Sequence, residues 1–163
     1  MPGTAYPTVI CRGYTAINDW IIDFLADRVW GRYVDIGCNC GFLLSEVPGG
    51  IGVDLSEPMV REALKRHVPA VLGRAEALPF PDRVFDTAVL SCVLEQTERP
   101  DLVISEALRV ARRVIGINPI PGASQWGAKG GWIRSVLPEA MMHAAGFRTE
   151  RMDAERYFFE RAS

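Results

Sequence analysis

Between Val34 and Leu44 the chain reads VDIGCNCGFLL, an apolar run that reaches an acid, turns through glycines and becomes apolar again. Asp35, Gly37, Asn39 and Gly41 fall at alternate positions, with Cys38 and Cys40 between them. Glycine lets a backbone take positive φ and approach a ligand closely, and a helix that follows offers free N–H groups to a carboxylate or phosphate. The turn is therefore a candidate cradle. A dinucleotide fingerprint would need glycine at 37, 39 and 42, where Gly37, Asn39 and Phe42 stand. Asparagine tolerates positive φ better than most residues, so the middle slot can still turn.

Elements on either side must hold this turn in place. INDWIIDFLADRV, 17–29, sets Trp20, Ile21, Phe24 and Leu25 at helical spacing. RYVDIG reads as a short strand, and a brief helix from about Gly41 to Val47 follows the turn. GIGVDLS is a second buried strand ending in Asp54. The helix after it takes Ser56 as N-cap and Pro58 in its first turn. AVL is a third strand, VFDTAVLS a fourth with apolar residues for both faces, RPDLVISEALRVA a helix and RRVIGINPIP a fifth strand. PGASQWGAKGGW is a glycine-rich loop, LPEAMMHAAGF a last helix and RTERMDAERYFFER a terminal strand pair. Strands alternating with helices predict an α/β fold, a doubly wound, Rossmann-like and mostly parallel sheet with helices on both faces and one antiparallel strand in the terminal pair.

The 163 residues suit a single domain, 1–163, with 1–30 as its N-terminal helical segment. At 48% hydrophobic residues and net charge −2, the composition excludes disorder and a generally basic nucleic-acid surface, leaving only a local basic patch open. No apolar run approaches the roughly 20 residues of a membrane span, and no signal segment opens the chain. The expectation is a cytoplasmic protein. Four irregularly spaced cysteines are expected to be free thiols.

GRAEALPFPDRVFDTAVLSCVLEQTERPDLVISEALRV resembles the run GDAEALPFPDxSFDxVxxxxVLHH…ALxEAxRVL of the class I S-adenosylmethionine-dependent methyltransferases, in their small-substrate branch. The resemblance extends from about Tyr33 to Val110 and includes the acid-glycine turn. It implies S-adenosylmethionine as cofactor and S-adenosylhomocysteine as product. Carried over residue by residue, it implies cofactor contacts at Asp35, Gly37, Cys38, Asn39 and Gly41. Asp54, followed by Leu55, would accept the ribose hydroxyls, the other reading being a plain helix cap. Ala75 and Glu76 would meet adenine, and Ser91 and Cys92 would line the methionine and its methyl. Arg74 replaces an acid that often meets the adenine amino group, so adenine recognition falls to the backbone at Ala75 and Glu76. Glu95 and Gln96 stand where the family often has histidines, which leaves Glu95 as the candidate base and an exposed glutamate as its plainer reading. NPIP, 118–121, follows strand five rather than strand four and is treated as a loop.

Three cysteines, Cys38, Cys40 and Cys92, converge on the ends of strands one and four in this fold. They are either small buried residues of a tight loop or a site for a soft metal or metalloid. With about 25 residues between strand five and the last strands, the cap over the site is small. A large substrate, a second subunit, a partner protein or the N-terminal helix with Tyr6 and Tyr14 would close it, and Trp126 and Trp132 are candidate contacts. His67 and His143 lie on helices and read as surface or interfacial. The methyl acceptor is unidentified. Two other functions remain: a cofactor-binding regulator without transfer activity, and a nucleotide-linked dehydrogenase.

Overall fold

The buried runs become parallel strands whose side chains alternate between two helical layers. The computed structural model describes residues 15–119, 139–153 and 156–162. Its elements are α1 (Thr15–Ala26), β1 (Tyr33–Ile36), α2 (Phe42–Glu46), β2 (Gly50–Asp54), α3 (Glu57–Lys65), β3 (Ala70–Leu72), β4 (Phe85–Ser91), α4 (Pro100–Val110), β5 (Ala111–Pro119), α5 (Glu139–Ala144), β6 (Arg148–Arg151) and β7 (Arg156–Ala162). A 3-10 turn, Leu94–Gln96, joins β4 to α4.

One seven-stranded sheet has the order β3-β2-β1-β4-β5-β7-β6. β1 to β5 pair in parallel, whereas β7 runs antiparallel to both β5 and β6. This is the doubly wound, mostly parallel sheet expected, and its order reverses between β1 and β4, where such sheets open a ligand crevice. Successive residues serve opposite faces with the period of a strand. Val34 and Ile36 pack with Val103, Ala107 and Val110 of α4 and Met142 of α5. Tyr33, Val89, Ile115 and Ile117 pack with Ile21 and Leu25 of α1, Leu43 of α2 and Ala63 of α3.

Local chemistry sets the joints. α3 starts at Ser56 with Pro58 in its first turn, but the serine hydroxyl makes no cap and is buried without a partner. Asp54 satisfies the Ser56 N–H instead, at 2.8 Å. Tyr33 donates its hydroxyl to the Val47 carbonyl at 2.7 Å, fixing the end of α2 over the start of the sheet. No described helix is long and apolar enough to cross a membrane. The glycine-rich loop, Tyr6, Tyr14, Trp126 and Trp132 lie outside the described residues.

Candidate functional site

At the end of β1 the chain leaves the sheet through three left-handed residues: Gly37 (φ 75), Asn39 (φ 52) and Gly41 (φ 76). The Gly37 and Cys38 N–H groups donate to the Val53 carbonyl at 2.7 and 3.1 Å, and Gly41 N–H returns to Cys38 at 2.9 Å. A Cβ on Gly37 would lie 2.5 Å from Val93 Cγ2, and one on Gly41 would lie 2.5 Å from Val68 Cγ2. Both glycines are thus required twice, by φ and by close approach. Asn39 fills the middle slot in the conformation expected of it, its side-chain Oδ1 accepting from the Cys40 N–H at 2.7 Å.

Asp54 anchors this turn from β2. Its Oδ2 accepts the Asn39 N–H at 2.8 Å while Oδ1 accepts that of Ser56. The cap reading is correct in part, because the acid serves the backbone at both ends. Each carboxylate oxygen keeps a further lone pair for a ligand. Burial raises the Asp54 carboxyl above its ordinary value, opposed by these backbone bonds.

Asp35, Gly37, Cys38 and Asn39 share one cavity with Ser91 and Cys92 from the end of β4. The structure therefore brings together the two segments that the sequence singles out at opposite sides of the crevice. Asp35 is buried, and burial followed by the neighbouring Asp54 charge pushes its carboxyl up to about 7. Such an acid calls for a cation beside it to ionise fully. Cys92 takes φ 55 and donates its N–H to the Ile117 carbonyl at 2.9 Å, turning the chain back over β5.

The remaining expected contacts lie outside this cavity. Gly41 starts α2, and Leu55 is 65% exposed beyond Asp54. Glu76 accepts from Thr97 Oγ1 at 2.7 Å and pairs with Arg74 at 3.5 Å, while Arg74 bridges Ala77 across the loop. These bonds set the loop after β3 beside the turn after β4.

Three expectations change. Glu95 is buried, not an exposed glutamate; burial pushes its carboxyl up to about 7, against bonds to its own N–H and to Gln96. Cys40 is held in a disulfide rather than being a free thiol, and it packs with Met59 in a separate small cluster. Cys38 and Cys92 are free, but burial and nearby carboxylates raise both thiols. Soft-metal binding needs thiolates, so neither the count nor the ionisation suits the three-cysteine site. His67 and His143 are exposed, His143 sharing a hydrogen bond with Thr149 at 2.7 Å.

The roof of the cavity is Ile21, Ile22 and Leu25 of α1 with Phe42 and Leu43 of α2, so the N-terminal helix, one of the closures the sequence left open, lies over the site. The apolar stripe of α1 was visible, but spacing alone does not say which surface it covers. The N-terminal helix thus walls the site.

A methyltransferase domain family matches residues 34–115. Over 91 residues the chain is 38% identical to an uncharacterized protein of Methanocaldococcus jannaschii, covering 53% of this chain and 44% of that one. It is 30% identical over 159 residues to the ubiquinone/menaquinone biosynthesis C-methyltransferase UbiE of Roseobacter denitrificans, covering 86% of this chain and 62% of that one. The chain thus spans between 44% and 62% of these curated relatives. Among solved structures, a Thermotoga maritima protein described as an S-adenosylmethionine-dependent methyltransferase, possible histamine N-methyltransferase, has a TM-score of 0.72 at 21% identity, covering 93% of this chain and 95% of that one. That likeness is one of fold.

Proposed function

Because this chain belongs to the class I S-adenosylmethionine-dependent methyltransferase family, we propose that it moves a methyl group from S-adenosylmethionine to an acceptor at the carboxyl end of the sheet. The observation that carries this reading is the single cavity shared by the β1 turn and the end of β4. The residues fit the cofactor: a buried Asp35 carboxyl suits an ammonium group, and Asp54 keeps lone pairs for hydroxyls. The exposed Leu55 and Leu72 offer apolar surface beside the ends of β2 and β3.

When bound, S-adenosylmethionine supplies a methyl carbon already made electrophilic by its sulfonium. The chain then has to bind, align and exclude water. In this reading Asp35 and the turn hold the amino-acid end, and Asp54 and Leu55 the ribose and adenine, with Ala75 and Glu76 beside them. Ser91 and Cys92 line the reacting end. Ile21, Ile22 and Leu25 keep solvent out from above. Glu95, one turn beyond Cys92, is the candidate base for an acceptor that must lose a proton.

Calorimetric titration with S-adenosylmethionine, S-adenosylhomocysteine and NAD, repeated on Asp54→Ala, tests the reading. Binding of the first two, lost in the variant and absent for NAD, is expected. Preference for NAD would replace transfer by hydride chemistry. Cofactor binding without turnover over a broad acceptor screen would instead mark a regulator.

A further inference from the structure

Among the described residues, two buried oxygens at the carboxyl end of the sheet meet no hydrogen-bond donor: Glu95 Oε2, on the turn after β4, and Asn118 Oδ1, on β5. Glu95 is 4% exposed and Asn118 1%. The turn packs against β5. The Cys92 to Ile117 bond fixes the root of that turn beside the residue preceding Asn118. Across the antiparallel pair Asn118 is in register with Tyr157 and donates from Nδ2 to its hydroxyl at 3.1 Å. The amide's donor side is thus committed to the protein while its acceptor side is not.

Leaving a buried acceptor unsatisfied costs about 1–3 kcal/mol, and more when it is charged. Two of them, one three residues beyond the cavity-lining Cys92 and one on the neighbouring strand, therefore mark a place for a ligand's donors. Carboxylates bear on this place, as does the Arg156 guanidinium, which opposes Glu95 at the Cys92 thiol. Burial raises the Tyr157 phenol to about 12, and the Glu139 and Glu95 carboxylates push in the same direction against its bond to Asn118. The nearby cations have carboxylate partners: Arg156 meets Asp153 at 3.3 Å and lies over the Trp20 ring, and Arg151 meets Glu139 at 3.2 Å.

Donor arithmetic then selects among acceptor classes. A hydroxyl or phenol brings one donor, a carbon acid none, and an amine two or, protonated, three. We infer that the methyl-acceptor site of this chain takes an amine, whose N–H groups bond Glu95 Oε2 and Asn118 Oδ1. The inference rests on the methyl-transfer reading for what becomes of the amine, not for its binding.

The test is an NMR titration of the full chain carrying isotope-labelled glutamate and asparagine, with methylammonium chloride as probe and methanol and sodium formate as matched probes. Runs with and without S-adenosylhomocysteine are compared at constant ionic strength. Methylammonium is expected to move the Glu95 carboxyl and Asn118 amide resonances saturably, about ten-fold more tightly than methanol, and Glu95→Gln to weaken it by a similar factor. Equal response to methanol or formate would overturn the inference. So would unmoved resonances, which would mean that water alone satisfies the two oxygens. If S-adenosylhomocysteine fails to bind while the methylammonium response persists, the transfer reading falls and the amine site stands.

Discussion

The Asn39 N–H donates to Asp54 Oδ2 at 2.8 Å, so the turn that ends β1 is held by the acid that ends β2. Asp54 therefore acts on the site twice, as a ligand candidate and as the anchor of the cradle. Asp54→Asn replaces one of two acceptor oxygens by a donor that faces a backbone N–H. The variant is expected to lose about 1–3 kcal/mol of stability. Hydrogen exchange should quicken at the Asn39 and Ser56 amides first. Unchanged exchange at both would show that the turn holds itself.

Gly37 presses against Val93, which belongs to the turn after β4. Gly37→Ala meets both a φ of 75 and a methyl 2.5 Å from Val93 Cγ2. Thermal unfolding should show a loss of about 1–3 kcal/mol, with S-adenosylhomocysteine binding weakened. Adding Val93→Ala removes the clash but not the strained φ. Partial recovery in the double variant is therefore expected, and full recovery would mean that φ is of no account here.

Asp35 and Glu95 both hold their protons up to about 7 because burial disfavours the charged carboxylate. The unfolded chain releases the same protons near the ordinary carboxylate values. Between these limits the folded state binds more protons, so stability falls as pH rises from about 4 to about 7 and levels off above. The ligand-free protein should melt several degrees lower at about pH 8 than at about pH 5, at roughly 2–4 °C per kcal/mol. Asp35→Asn should flatten that slope. A cation beside Asp35 favours its charged form, so stabilisation by S-adenosylhomocysteine should grow with pH over this window and shrink in the variant. A melting profile independent of pH would refute the buried-acid description.

The sheet was readable because its strands are buried on both faces and separated by helices with their own spacing. The terminal pair was readable from RTERMDAERYFFER, where two short runs leave no room for a crossover helix. The cradle was equally legible, since Asp35, Gly37, Asn39 and Gly41 carry their conformational preferences with them. Burial of Glu95 was not, because exposure of a turn residue depends on what folds over it. The Asn118 to Tyr157 bond joins residues 39 apart in the chain, a register that antiparallel pairing of β5 with β7 creates. Ile21 and Leu25 announced an apolar stripe, and the N-terminal helix was one of several closures allowed over the site, but spacing alone could not choose among them. Cys40 gave no local sign that it differs from Cys38.

Arg109 on α4 clasps the loop that follows β3. Its Nη1 donates to the Phe80 carbonyl and to Asp82, each at 2.8 Å, and its Nη2 to the Leu78 carbonyl at 3.2 Å. Glu106 orients the guanidinium at 2.7 Å and accepts the Leu78 N–H at 2.7 Å, closing the ring of bonds. Asp82 is 76% exposed and adds little, so the clasp rests on the carbonyls and Glu106. Lysine cannot span these acceptors with a planar fork. Arg109→Lys is therefore expected to cost nearly as much as Arg109→Ala, about 1–2 kcal/mol. Faster hydrogen exchange at Leu78 should accompany both, with weaker S-adenosylhomocysteine binding, because the same loop carries Ala75 and Glu76. A lysine variant that retains slow exchange at Leu78 would show that charge alone, rather than the forked geometry, holds the loop.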